Sequence, residues 1–128
     1  MSTDSLCRPS DIVSPSIVVE SELTDFDADQ QLLAMSGVSL VIFTSVGCAS
    51  CRYAREVLPG MALAVDRLCW IDAGENGGLV QRYQVFHLPA LFVVRDGAFF
   101  GALHTRLTVD DLNQAVAHAL GRTAEELP

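Results

Sequence analysis

The sequence predicts an α/β fold: a central mixed β-sheet flanked by helices on both faces. Three observations carry this. Apolar runs of strand length alternate with segments of helical period through most of the chain. The run Val38 to Thr44 (VSLVIFT) is nearly continuous and rich in β-branched residues, as expected of a strand buried on both faces. Near the end, Asp96-Gly97 sits between two apolar runs and marks an antiparallel hairpin.

The elements follow in order. Residues 1–15 are polar, carry two Pro and show no period, so they read as a flexible lead-in. Ile17-Val18-Val19 is a β-branched run and a first strand. Thr24 and Asp25 offer N-caps for a helix to about Met35, with Phe26, Leu32, Leu33 and Met35 as its apolar contacts and Gly37 as its stop. After the Val38–Thr44 strand comes SVGCASC and then RYAREVL, which has helical character. Pro59-Gly60 interrupts this helix, and MALAVDRL is expected to resume it. Leu68 to Asp72 reads as a strand, Gly74, Gly77 and Gly78 as a loop, and Leu79 to Tyr83 as a short helix. Pro89 opens the strand Ala90 to Val94, and Ala98 to Leu103 returns from the hairpin. Thr108 starts a last helix, with Asp110 and Asp111 placed favourably against its dipole. Val109, Leu112, Val116, Ala119 and Leu120 form its expected buried face, and Gly121 ends it. The expected division is a flexible segment 1–15, one domain 16–121, and a frayed tail 122–128.

Composition excludes several classes. The 128 residues carry 16 acidic and 8 basic side chains, a formal charge of −8, which repels phosphate backbones and argues against nucleic acid. All eight basic residues are Arg. Half the residues are apolar, too many for global disorder. No apolar run approaches the ~20 residues of a membrane span. No basic and then apolar leader opens the sequence, so the expected compartment is the cytoplasm, where thiols stay reduced. The acidic surplus is concentrated early: residues 1–35 hold seven acids against Arg8 alone, read as a solvated face.

In a reducing compartment two close Cys point to chemistry or metal before a structural disulfide. Cys48-Ala49-Ser50-Cys51 follows a buried strand and opens a helix. A thiol at a helix start meets unpartnered backbone N–H groups and the positive end of the dipole, both of which favour thiolate. The second thiol lies one turn on and can reach the first sulfur. Such a pair supports two-step exchange: Cys48 attacks a disulfide and Cys51 resolves the mixed disulfide. Arg52 and Arg55 add positive charge nearby. A zinc site would need two further ligands, and Cys7, Cys69, His87, His104 and His118 are not at ligand spacing. Cys69 beside Trp70 reads as a buried inert thiol, Trp70 as core, Cys7 as an incidental thiol, and His118 as solvated.

Over roughly residues 16–121 the chain resembles the thioredoxin family. Val41-Ile42-Phe43 stands as the strand before the active site, Cys48-Ala49-Ser50-Cys51 as the redox motif, and Trp70-Ile71-Asp72 as the third strand with its terminal Asp. The segment from Tyr83 to Phe92 resembles the one whose proline is cis, here Pro89, about forty residues after Cys48. Asp96-Gly97 matches the turn between the last two strands. The resemblance implies a thioredoxin-like fold, with Cys48 as nucleophile and Cys51 as resolving thiol. It also implies a substrate groove formed by Gly47, His87, Leu88, Pro89 and Thr105, in which the Leu88 backbone meets an extended substrate segment. The implied activity is thiol-disulfide exchange with protein or small-thiol substrates. Electrons would come from a partner reductase or small thiols, with no bound cofactor. The alternative is a protein-binding module with little or no redox turnover.

Some positions depart from the family pattern. Gly47 replaces the usual Trp, Ala49-Ser50 the usual Gly-Pro, and Thr105 a Gly. Ile42 stands where thioredoxins place a buried acid, and Leu68 where they place the accompanying Lys. Without that acid, Cys51 needs water or another base to lose its proton.

Overall fold

The computed structural model describes residues 18–128. The lead-in 1–15, Cys7 and Ile17 lie outside them. Among the described residues five strands and four helices follow in order: β1 (Val19–Leu23), α1 (Ala28–Ala34), β2 (Val38–Thr44), α2 (Ala49–Val57), β3 (Arg67–Asp72), α3 (Gly77–Arg82), β4 (Ala90–Arg95), β5 (Ala98–Leu103) and α4 (Val109–Leu120). They form one mixed sheet in the order β1-β3-β2-β4-β5. β3 pairs parallel with both β1 and β2, while β4 runs antiparallel to β2 and to β5.

The continuous apolar run of β2 has its expected cause. Leu40 and Ile42 point into one core with Leu68, Trp70, Ala54, Leu58, Leu112 and Val116, beneath α2 and α4. Val41 and Phe43 point into the other with Leu32, Cys69, Ile71, Leu79 and Tyr83, beneath α1 and α3. Period-two alternation therefore feeds two cores from one strand, and no polar face remains. The Asp96-Gly97 turn has positive φ at both residues (52° and 79°), as a tight hairpin of this twist requires. At Gly37, φ is +84° and a Cβ would collide with the Asp66 carboxylate, which favours glycine there; α1 itself already ends at Ala34, where Met35 turns to extended backbone. Thr108 caps α4 by accepting from the Asp111 N–H.

Several expectations are corrected. MALAVDRL does not resume a helix: α2 passes into a 3-10 turn, Leu58–Gly60, and the chain then runs irregularly until β3. Asn113 on α4 holds that stretch, accepting from the Ala64 N–H at 2.7 Å and donating to the Ala62 carbonyl at 3.1 Å. Gly77 and Gly78 open α3 rather than belonging to the preceding loop, because the Asp25 carboxylate accepts from the Gly78 and Leu79 N–H groups. Phe26 is 98 % exposed and Leu33 is also exposed, so neither packs as expected. Phe26 lies in the turn before α1, and Leu33 is on the outer side of that helix, whose buried residues are Ala28 and Leu32. Val109, at 36 % exposed, lies outside the buried face of α4, which is made by Leu112, Val116 and Ala119.

The tail is not frayed. Glu125 and Phe99 exchange two backbone hydrogen bonds, of 2.7 and 2.9 Å, at the outer edge of β5. Arg122 donates to the carbonyls of Phe100 and Ala102. Covering an otherwise open strand edge satisfies backbone groups that a free tail would leave to water. Among the described residues no helix is long and apolar enough to cross a membrane.

Candidate functional site

Strand β2 delivers the chain to the sheet's end, where Ser45 to Gly47 turn it into α2. Cys48 is the N-cap of that helix, in extended conformation (φ −102°, ψ 117°), and its sulfur accepts from the Cys51 N–H at 3.2 Å. A thiol thus occupies the place that Ser or Asp usually takes at a helix start. Cys48 Sγ also lies 3.4 Å from Ser50 Oγ and 3.9 Å from the Leu88 carbonyl oxygen, to which the thiol donates. Hydrogen bonding from the Cys51 side chain, then from Ser50, holds the Cys48 thiol below its ordinary pKa. Cys51, one turn on, is 1 % exposed, and burial foremost pushes its thiol up to about 11. The two sulfurs are therefore tuned in opposite directions, Cys48 towards ionisation and Cys51 towards the protonated thiol. Both are free thiols, as is Cys69.

The Leu88–Pro89 peptide is cis. His87, Pro89 and Thr105 line one groove with Ser50, Tyr53 and His104, and its volume is about 590 Å³. The His87 and His104 rings stand 6.3 Å apart, centre to centre. Gly47 is exposed but is not part of that wall, and a side chain there would meet open space. Among the expected site residues, the structure gathers Cys48, Cys51, His87, Leu88, Pro89 and Thr105 at one end of the sheet and leaves Gly47 to the side.

Other residues take positions that sequence reasoning left undetermined. Arg52 donates to the Val46 carbonyl at 3.0 Å. Arg55 pairs with Glu22, donates to Thr44 Oγ1, and lies 4.5 Å from the centre of the Trp70 ring. Trp70 is buried and donates to Glu20 at 2.8 Å. Cys69 is fully buried, and burial raises its thiol. Ile42 and Leu68 are both fully buried, in the core beneath α2. Ser50 was legible only as half of a dipeptide; its hydroxyl contact with Cys48 needs the helix geometry. Among the described residues, no three His, Cys, Asp or Glu stand together so as to hold a metal ion.

A thiol tuned towards ionisation at a helix start, a buried thiol held protonated one turn on, and a carbonyl across the groove define a class: α/β proteins built for thiol chemistry. Comparisons with known proteins narrow it. The chain is 33 % identical to thioredoxin of Staphylococcus epidermidis over 79 residues, which is 59 % of this chain and 74 % of that one. Among solved structures, thioredoxin of Trichomonas vaginalis superposes with a TM-score of 0.51 at 28 % identity, over 62 % of this chain and 73 % of that one. Thioredoxin of Trypanosoma brucei brucei shares the fold with a TM-score of 0.56 at 19 % identity, over 76 % and 84 % of the two chains. No family model matches the chain. The chain belongs to the thioredoxin family, a family of thiol-disulfide oxidoreductases, and has the thioredoxin-like fold.

Proposed function

We propose that the protein exchanges disulfides with protein or small-thiol substrates through Cys48 and Cys51. The observation that carries this is the opposite tuning of the two thiols one helical turn apart. Cys48 thiolate attacks a substrate disulfide, forms a mixed disulfide and releases the first substrate thiolate. Cys51 gives up its proton and attacks Cys48 Sγ; the Cys48–Cys51 disulfide forms and the second substrate thiol leaves. The substrate disulfide is thereby reduced and the dithiol oxidised. The Leu88 carbonyl, close to Cys48, would accept from an extended substrate backbone, and His87, Pro89 and Thr105 would wall the groove. A partner reductase or small thiols would restore the dithiol, and a reducing compartment such as the cytoplasm suits this use.

The test is turnover of a disulfide-linked peptide in the presence of a small-thiol reductant. Cys48→Ser should abolish turnover, and Cys51→Ser should stop it at a mixed disulfide through Cys48. Absence of turnover, with no reversible Cys48–Cys51 disulfide, would overturn the proposal. The buried apolar Ile42 and Leu68 favour a second reading, a binding module without turnover. Partners retained equally by the Cys48→Ser/Cys51→Ser double variant would support it.

A further inference from the structure

The exchange just proposed requires Cys51 to lose its proton while attacking, and the core beneath α2 offers no base, since Ile42 and Leu68 are apolar there. The sheet end does offer one. Cys51 lines a cavity of about 370 Å³ together with Thr44, Ser45, Val46, Arg52, Arg55 and Asp72. That volume holds several waters, each of which takes up about 30 Å³. Asp72 ends β3 directly beside Thr44, its register partner on β2. One carboxylate oxygen, Oδ1, accepts from the Gly74 N–H at 2.9 Å, and no side chain among the described residues bonds Oδ2. The backbone at Asp72 is anchored as well, since its carbonyl accepts from Asn76 Nδ2 and from the Glu75 N–H.

We propose that Asp72 is the proton acceptor for Cys51, taking the thiol proton through water in this cavity as Cys51 attacks the mixed disulfide. The inference rests on the exchange reading of Cys48 and Cys51. The S–H bond of Cys51 breaks as the Cys51–Cys48 bond forms. The Cys48–substrate bond breaks, the electron pair leaves on the substrate sulfur, and the proton resides on Asp72 until it passes to the departing thiolate or to bulk water. A carboxylate is a far stronger acceptor than water itself, and proton transfer of this kind contributes about 10²- to 10⁴-fold in favourable sites. The charged groups facing Asp72 are Arg52 and Arg55 from α2, with Glu22 of β1 neutralising Arg55 and Glu75 following in the turn. The guanidinium of Arg52 also favours the Cys51 thiolate as it forms.

The test uses the full chain in a Cys7→Ser background, reduced and mixed with one equivalent of an aromatic disulfide that releases a coloured thiolate. A first phase reports attack by Cys48 and a second reports resolution by Cys51. Asp72→Asn keeps the acceptor for the Gly74 N–H. It should leave the first phase unchanged and slow the second about a hundredfold or more at pH 7. The deficit should close towards pH 11, where Cys51 ionises without help, and Asp72→Glu should restore much of the rate. A second phase unaffected by Asp72→Asn, or a deficit equal at every pH, would overturn the role of Asp72 alone. Absence of any second phase in the parent protein would overturn the exchange reading with it.

Discussion

Site-resolved alkylation tests the tuning of the two thiols directly. The perturbation is a substoichiometric pulse of iodoacetamide on the reduced protein, with modification at each Cys read by peptide mass. Iodoacetamide reacts with the thiolate, so initial rates follow ionised fractions. With its thiol at about 11, Cys51 is ionised in about one molecule in ten thousand at pH 7. An ordinary thiol of pKa about 8.5 is ionised in about three per hundred. Cys51 should therefore react roughly 300-fold more slowly than free cysteine on ionisation grounds, and more slowly still because its sulfur is buried. Its rate should climb about tenfold per pH unit from 7 to 10 without levelling. Cys48, held below its ordinary range, should outpace free cysteine at pH 7 and level off earlier. A Cys51 rate within tenfold of free cysteine, or a plateau near pH 8.5, would refute the claim that burial governs this thiol.

Two further outcomes are expected. Ser50→Ala removes a hydrogen-bond partner of Cys48 Sγ, so Cys48 alkylation should slow at pH 7 and its plateau move to higher pH, while global stability changes by less than about 1 kcal/mol, as is usual for surface substitutions; a pH profile unchanged from the parent would refute this. Tyr83 carries a buried hydroxyl with no partner among the described residues, so Tyr83→Phe should be neutral or stabilising, by up to about 1–3 kcal/mol in denaturant melts. Burial also raises Tyr83 to about 12 and Cys51 to about 11, from ordinary values of about 10 and 8.5. Above about pH 8.5 the unfolded chain then loses protons that the native state keeps, so stability is full below that pH and falls as pH rises towards about 12. Tyr83→Phe should flatten the upper part of that fall; a slope identical to the parent would refute the assignment.

Much of the fold was legible because local pattern and tertiary need coincide. The VSLVIFT run can be satisfied only by burial on both faces, and the structure puts it at the sheet's centre. The Asp96-Gly97 turn and the Thr108 cap act within three or four residues, so they read directly. The failures involve distant partners. MALAVDRL has helical composition, but Asn113, about fifty residues on, holds it as a loop. The tail residues carry no strand signal of their own, and become ordered by hydrogen bonds to β5. Phe26 and Leu33 look like core by composition, yet Phe26 sits exposed in the turn before α1 and Leu33 on the exposed side of that helix.

The Cys pair divides along the same line. The spacing Cys48-x-x-Cys51 after a buried strand determines by itself that two sulfurs share one helical turn at a helix start, because helix geometry is local. The two thiols' opposite tuning is decided by the tertiary structure, for burial and charge are sums over neighbours from every part of the chain. The Leu88 carbonyl reaches Cys48 from forty residues away, the core beneath α2 buries Cys51, and β3 places Asp72 on the cavity that Cys51 lines.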